Sequence, residues 1–173
     1  MNFLKTRGCA VLVLAAAVVG GTLFGAHRSL TAQADKITAQ NEYVMKDLNT
    51  RVAVGSNFYT VASRYLPEDA PSMTALRDAL DSLSEDVAAP EGQEALRRAL
   101  DGISSLPGGL DELTEKDAEY VSGFQAQLRS VEDTLSRDPY NELAEQFNTE
   151  TLGGFPASVL GKLTGVDALP VYH

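Results

Sequence analysis

The chain contains no tryptophan, a single cysteine and two histidines among its 173 residues. One cysteine cannot close an intramolecular disulfide, and so few thiolates and imidazoles leave no donor set for a structural zinc site or an iron–sulfur cluster. No metal or cofactor is implied. Basic side chains are also scarce: 14 Lys and Arg stand against 24 Asp and Glu, a formal net charge of -10. That surplus repels phosphate backbones and argues against nucleic acid as a partner. Nowhere do apolar and polar residues alternate with the period of a strand. What is present is 44% hydrophobic sequence, enough for the core of one domain.

Long apolar runs occur once. Met1 to Gly8 carries Lys5 and Arg7, and Cys9 to Ala26 follows without one charge, rich in Ala, Val, Leu and Gly. At about 1.5 Å per residue those eighteen residues span roughly 27 Å as a helix, close to the hydrocarbon thickness of a bilayer. A cleaved secretory segment usually has an apolar run of only about 7–15 residues, so a retained anchor is expected. Ala32-Gln33-Ala34 before Asp35 does offer a small-x-small cleavage pattern, and processing there would release a secreted helical bundle. Lys5 and Arg7 ahead of the span place the N-terminus in the cytoplasm by the positive-inside tendency. The expected organisation is a cytoplasmic segment 1–8, a transmembrane anchor 9–26 and an extracytoplasmic domain 27–173. Cys9 follows Thr6-Arg7-Gly8 rather than an apolar run, so it reads as a small residue at the membrane edge and not as a lipidation site. Ala17, Gly21 and Gly25 recur every fourth residue and put small side chains on one helix face, which makes Gly21 and Gly25 candidates for helix–helix association.

Beyond the span the pattern is helical throughout. Leu30, Ala34, Ile37, Asn41, Val44, Leu48, Val52, Gly55, Tyr59, Ala62 and Leu66 keep three-and-four spacing and predict one long helix that ends at Pro67 and Pro71. Ser72 is the expected N-cap of a second helix with Met73, Leu76, Leu80, Leu83 and Val87 on its apolar face. Ala89-Pro90-Glu91-Gly92 reads as an interruption, and a third segment with Leu96, Leu100 and Ile103 runs to a turn at Pro107-Gly108-Gly109. Thr114 and Asp117 form a capping arrangement ahead of a helix lined by Asp117, Tyr120, Phe124, Leu128, Val131 and Leu135. Asp138-Pro139 kinks that helix or caps and restarts it, after which Tyr140, Leu143, Phe147 and Thr151 continue the seam to Gly153-Gly154. The tail reads as short turns or one weak helix. The expected fold is therefore all-α: an N-terminal transmembrane helix followed by an antiparallel bundle of three to four helices.

Nothing in this pattern assembles a catalytic constellation. His27 sits beside the span and His173 at the other end, while carboxylate neighbours such as Glu68-Asp69 and Glu85-Asp86 read as solvated charges. From Asp35 onward 24 acidic residues face 11 basic ones, a charge that speaks to solubility before docking. The chain is read as a non-enzyme, with an envelope-associated hydrolase as the alternative.

The residues also carry a family pattern. In DLNTRVAVGSNFYTVASRYLPED, Leu48, Arg51, Asn57, Val61 and Tyr65 stand at marked intervals, and SRDPYNELAEQFNTETLGGFPASVLGKLTGVDALPVY holds Arg137, Tyr140-Asn141, Phe147-Asn148 and Phe155-Pro156. From about Val44 to Tyr172 the chain resembles the LemA family of bacterial membrane-anchored proteins, as a divergent member. Where that family commonly has Asp-Leu-Ile-Pro-Asn-Leu, this chain has Ala53-Val54-Gly55-Ser56-Asn57-Phe58, and Pro139 interrupts a helix that is usually continuous. The resemblance implies membrane anchoring, a helical bundle and no assigned biochemical role. Tyr140 and Phe147, seven residues apart, read first as core packing, and Asn141 and Asn148 at the same spacing as hydrogen-bonding partners of a neighbouring helix or of its backbone. The function expected is a single-pass module of the bacterial plasma membrane that binds an envelope protein partner or assembles with itself.

Overall fold

The computed structural model describes residues 7–104 and 113–172. All its regular elements are helical: α1 (Arg7–Thr38), α2 (Glu42–Ala62), α3 (Pro71–Ser82), α4 (Pro90–Ser104), α5 (Glu115–Arg137), α6 (Pro139–Gln146), a π-helical segment (Phe147–Leu152) and α7 (Ala157–Thr164). The turn expected at Pro107-Gly108-Gly109 lies outside the described residues, as does His173.

The long first helix expected from Leu30 to Leu66 is two helices. The apolar helix runs on without a break through Arg28 to Thr38, and the chain then turns tightly, the Gln40 amide closing on the Ile37 carbonyl at 2.9 Å. Asn41 then occupies the N-cap position of α2. Seam periodicity does not distinguish one helix from two in register, because a turn of this length preserves the three-and-four spacing.

Proline marks the starts of later helices rather than the gaps between them. Pro71 and Pro90 stand at the first positions of α3 and α4, where a missing amide costs nothing because that amide has no intrahelical acceptor. Ser72 is thus inside the first turn of α3 and Ala70 holds the N-cap position. The stretch Ala89 to Gly92 opens α4 instead of interrupting the chain, and α3 ends at Ser82, leaving Val87 beyond it. Thr114 does cap α5, its hydroxyl accepting the Asp117 amide at 3.2 Å. Asp138 ends α5 and restarts the chain as α6: its Oδ1 accepts the Tyr140 amide at 2.8 Å, with Pro139 at the first position. Gly153 follows the π-helical segment, and a Cβ there would collide with the Thr149 carbonyl oxygen. The Phe155–Pro156 peptide is cis. Gly165 closes α7 at φ +73°, and the Val166 amide reaches back to the Gly161 carbonyl at 3.0 Å.

The chain divides into two compact units. The larger, Asn41–Asn141 with Pro170–His173, contains α2 to α5. In it α2 packs on α5 and α3 on α4, with α2 also against α3 and α4. The α2–α5 pair is antiparallel: Tyr65 at the end of α2 meets Asp117 at the start of α5, while Arg51 earlier in α2 feels Glu132 late in α5. Phe58, Met73, Leu76, Leu96 and Ile103 form its buried centre. Because α2 is covered on more than one side, its interior face is wider than a single stripe. Arg51, Val54 and Phe58 are buried there, whereas Val52 and Tyr59 on the expected seam are only half-buried. On α5 the expected Tyr120 faces outward, stacked on Phe124 at 6.3 Å, and Val121 takes the interior place.

The smaller unit, Met1–Gln40 with Glu142–Leu169, contains α1, most of α6, the π-helical segment and α7. There α7 packs on α1 and on the π-helical segment. Leu30, Ala144, Phe147 and Gly161 are buried in it. Its helix α1 is long and apolar enough to cross a membrane, with an 18-residue window of mean hydropathy 2.3.

Candidate functional site

Within the larger unit, α2, α4 and α5 line an open cleft of about 210 Å³, where Arg51, Arg97, Asp101, Gln125, Arg129 and Glu132 surround Leu100 and Leu128. Arg51 is its deepest member. The residue sits on α2 one turn from Leu48 and two turns from Phe58, so the packing of those side chains draws it inward, leaving it 1% exposed. Burial pushes its guanidinium below its ordinary value and neighbouring Arg97 adds to this, while Glu132 and then Glu94 and Asp101 pull it back up. Gln93, itself buried, fixes the geometry from α4. Its Nε2 donates to the Val87 carbonyl at 2.6 Å, and its Oε1 accepts from Arg51 Nη1 at 3.5 Å.

One turn along α4, Arg97 grips Glu94 through two parallel bonds of 2.9 Å and reaches Asp101 at 3.2 Å, while Arg98 adds a bond to Glu94 at 2.7 Å. Bidentate pairing of this kind is the strong form of an ion pair. It holds the Glu94 carboxyl down at about 2, its bond to Arg97 contributing most, and it raises Arg97. A carboxylate so strongly ionised makes a poor proton donor near neutral pH, and guanidinium groups do not give up their protons. Chemically, this arrangement holds charges in place rather than moving protons.

A second polar knot joins the far end of the α2–α5 pair. Asp117 accepts the Tyr65 hydroxyl at 2.5 Å and Arg64 at 2.8 Å, and the Tyr65 hydroxyl accepts the Thr114 amide at 3.2 Å. The Tyr65 bond, with those of Thr114 and Arg64, holds the Asp117 carboxyl below the usual carboxylate range against the opposing effect of burial.

The residues carried by the family resemblance differ in burial. Leu48, Arg51, Tyr140, Asn141 and Phe147 are buried. Asn57 and Arg137 face solvent, Arg137 paired with Asp133 at 2.6 Å. Phe155 and Pro156 lie exposed in the turn before α7, Phe155 at 88%. The two asparagines hold backbone, each with both ends of its amide. In the smaller unit Asn148 donates to the Leu169 carbonyl and accepts the Leu169 amide, both at 2.8 Å. In the larger unit Asn141 does the same for Tyr172, at 2.6 and 2.9 Å, and also donates to the Leu135 carbonyl at 3.0 Å. Tyr172 stacks on Tyr140 at 6.1 Å and donates its hydroxyl to the Ala88 carbonyl at 2.9 Å. Burial, with Tyr140 and Asp86 nearby, pushes the Tyr172 phenol up to about 12.

On α1, Gly21 and Gly25 present open backbone, and an added Cβ at either meets nothing within 4 Å. At about 100° per residue they lie on the opposite side of α1 from Leu23, Ala26 and Leu30, the positions that lose exposure.

The role of Gln93 was not legible, although its place three residues before Leu96 and seven before Leu100 puts it on the same buried face. The partnership of Tyr65 with Asp117 spans 52 residues and has no local pattern. No family model matches the chain, and neither a curated protein nor a solved structure is detectably similar to it.

Proposed function

We propose that this chain is a single-pass, membrane-anchored, non-enzymatic helical module of the LemA type, which binds a partner or assembles with itself at the bacterial cell envelope. The carrying observation is the surface of α1. Val11, Leu12, Val13, Leu14, Val18, Val19 and Phe24 are 55–69% exposed on it, an apolar surface far larger than water tolerates on an isolated helix. Lipid satisfies that surface, and Lys5 and Arg7 ahead of it favour an N-terminus on the cytoplasmic side. The ion pairs of Glu94 with Arg97 and Arg98 support a binding role over catalysis at this cleft, since they hold that carboxylate ionised.

Alkaline carbonate extraction of membranes from cells producing the tagged chain tests the anchor. The full-length chain is expected in the pellet, and a shortened chain in the soluble fraction would overturn the anchored reading in favour of cleavage after Ala34. In-cell crosslinking with mass spectrometry then separates a partner-binding module, which yields a reproducible envelope protein, from a self-assembling one, which yields only itself.

A further inference from the structure

The π-helical segment runs beside Gln33 and Ile37 of α1, with Phe147 and Thr151 lining the same groove. The chain then turns at Gly153-Gly154 and enters α7, which packs back on α1. On α1 from Leu23 onward, Leu23, Ala26, Leu30, Ala34 and Ile37 lose exposure along one stripe, with Thr31 half-buried beside it. This stripe starts inside the apolar run Cys9 to Ala26 and passes the first charge after it, Arg28. Its upper part therefore lies at the level where an α1 that crosses a bilayer leaves the hydrocarbon.

The outer face of α7 and its entry turn is apolar and uncovered. Val159 and Leu163, one turn apart on α7, are 50% and 67% exposed on one helix face, and Phe155 in the turn just before the helix is 88% exposed. The charge pattern changes here as well. Glu142, Glu145 and Glu150 precede this stretch, but Thr151 to Val166 contains no acidic residue and one basic residue, Lys162, in a chain of net charge -10. Between Glu150 and Asp167 the stretch itself thus joins exposed apolar side chains to a polar side free of acid, and an interfacial helix of this kind sinks its apolar face about 5–10 Å into the boundary between headgroups and acyl chains.

We propose that Val159 and Leu163 of α7, with Phe155 of the turn before it, form a second membrane contact, seated in the outer interface of the bilayer that α1 crosses. The inference rests on the proposed anchor. The occupant is the lipid surface itself, because α7 is held against the same helix whose apolar length defines the span. Two attachments, one crossing and one lying flat, would fix the tilt and rotation of the smaller unit against the membrane.

The chain's lack of tryptophan makes the test direct. Full-length Phe155→Trp, Leu163→Trp and Phe24→Trp variants each carry a single tryptophan, reconstituted into phosphatidylcholine–phosphatidylglycerol vesicles with bromine placed at shallow or deep acyl positions. Circular dichroism confirms helicity, and the two variants at α7 and its entry turn guard against one failing to fold. Phe24→Trp is expected to be quenched by bromolipid, which checks the anchor. Phe155→Trp and Leu163→Trp are expected to show blue-shifted emission, to lose most of it to shallow bromines and to resist acrylamide. Quenched Phe24→Trp beside α7 tryptophans that are unquenched and open to acrylamide would overturn the interfacial contact and leave the anchor standing. Unquenched Phe24→Trp would overturn the anchor and this inference with it.

Discussion

Tyr172 is 2% exposed and its hydroxyl donates to the Ala88 carbonyl, so the folded state favours the neutral phenol. Its value rises from 10.0 to about 12, with burial the main cause. A raised value in the folded state means that the stabilisation is complete below pH 10 and is lost as pH climbs through 10 towards 12. Urea midpoints measured against pH should therefore fall more steeply in this window for the wild type than for Tyr172→Phe. Near neutral pH the variant should be the less stable by about 1 kcal/mol, the worth of one hydrogen bond. Phe147 makes a different residue-scale case. Its ring is 2% exposed, and Phe147→Ala should cost about 3–5 kcal/mol in chemical denaturation, since neighbours close only part of the cavity left behind. A loss under about 0.5 kcal/mol, the range of surface substitutions, would contradict its burial.

Glycine separates two kinds of helix in this chain. At Gly55 on α2, a Cβ would stand 3.0 Å from Leu96 and 3.4 Å from Leu80, so α2 approaches its neighbours at backbone distance there. At Gly123 on α5, nothing lies within 4 Å. Gly55→Val should destabilise by about 1–3 kcal/mol through overpacking, whereas Gly123→Ala should stabilise by about 0.5–1 kcal/mol because only backbone entropy changes. Thermal melts of the two variants, moving in opposite directions, check both statements. At this scale the helical elements were legible because apolar spacing survives in one dimension, as in Met73 and Leu76 or Leu96, Leu100 and Ile103. Their ends were less so. Proline reads alike as a break or as a first position, and only the amide pairing around Pro71 and Pro90 separates the two.

Across the whole molecule, the polar sites were the least legible part. Arg51 was visible as a marked position, but its burial depends on α4 and α5 arriving from 42 or more residues away. Shared spacing marks Asn141 and Asn148 as partners of a neighbouring helix or its backbone. Asn141 does reach the Leu135 carbonyl of α5, but both hold chiefly the tail at Tyr172 and Leu169, which follows only from the path of the tail. The acid behaviour of the chain rests on pairings of both ranges, Glu94 held by Arg97 and Arg98 on its own helix and Asp117 by Tyr65 and Arg64 from the turn after α2. Glu94 at about 2 and Asp117 below its ordinary value are both depressed in the folded state. Such groups contribute stability above their unfolded values and lose it as pH falls through the folded ones, so the Glu94 share disappears between 4.5 and about 2. Glu94 is a third exposed, which lets salt screen part of its interaction. Protonation also relieves the repulsion within a chain of net charge -10, an effect of opposite sign. Comparison with Glu94→Gln isolates the first contribution, because the repulsion among the other carboxylates is nearly common to both chains. The wild type should therefore be the more stable of the two above pH 4.5, with the gap closing towards pH 2 and narrowing in high salt. A gap independent of pH in urea denaturation would show that Glu94 acts by packing alone.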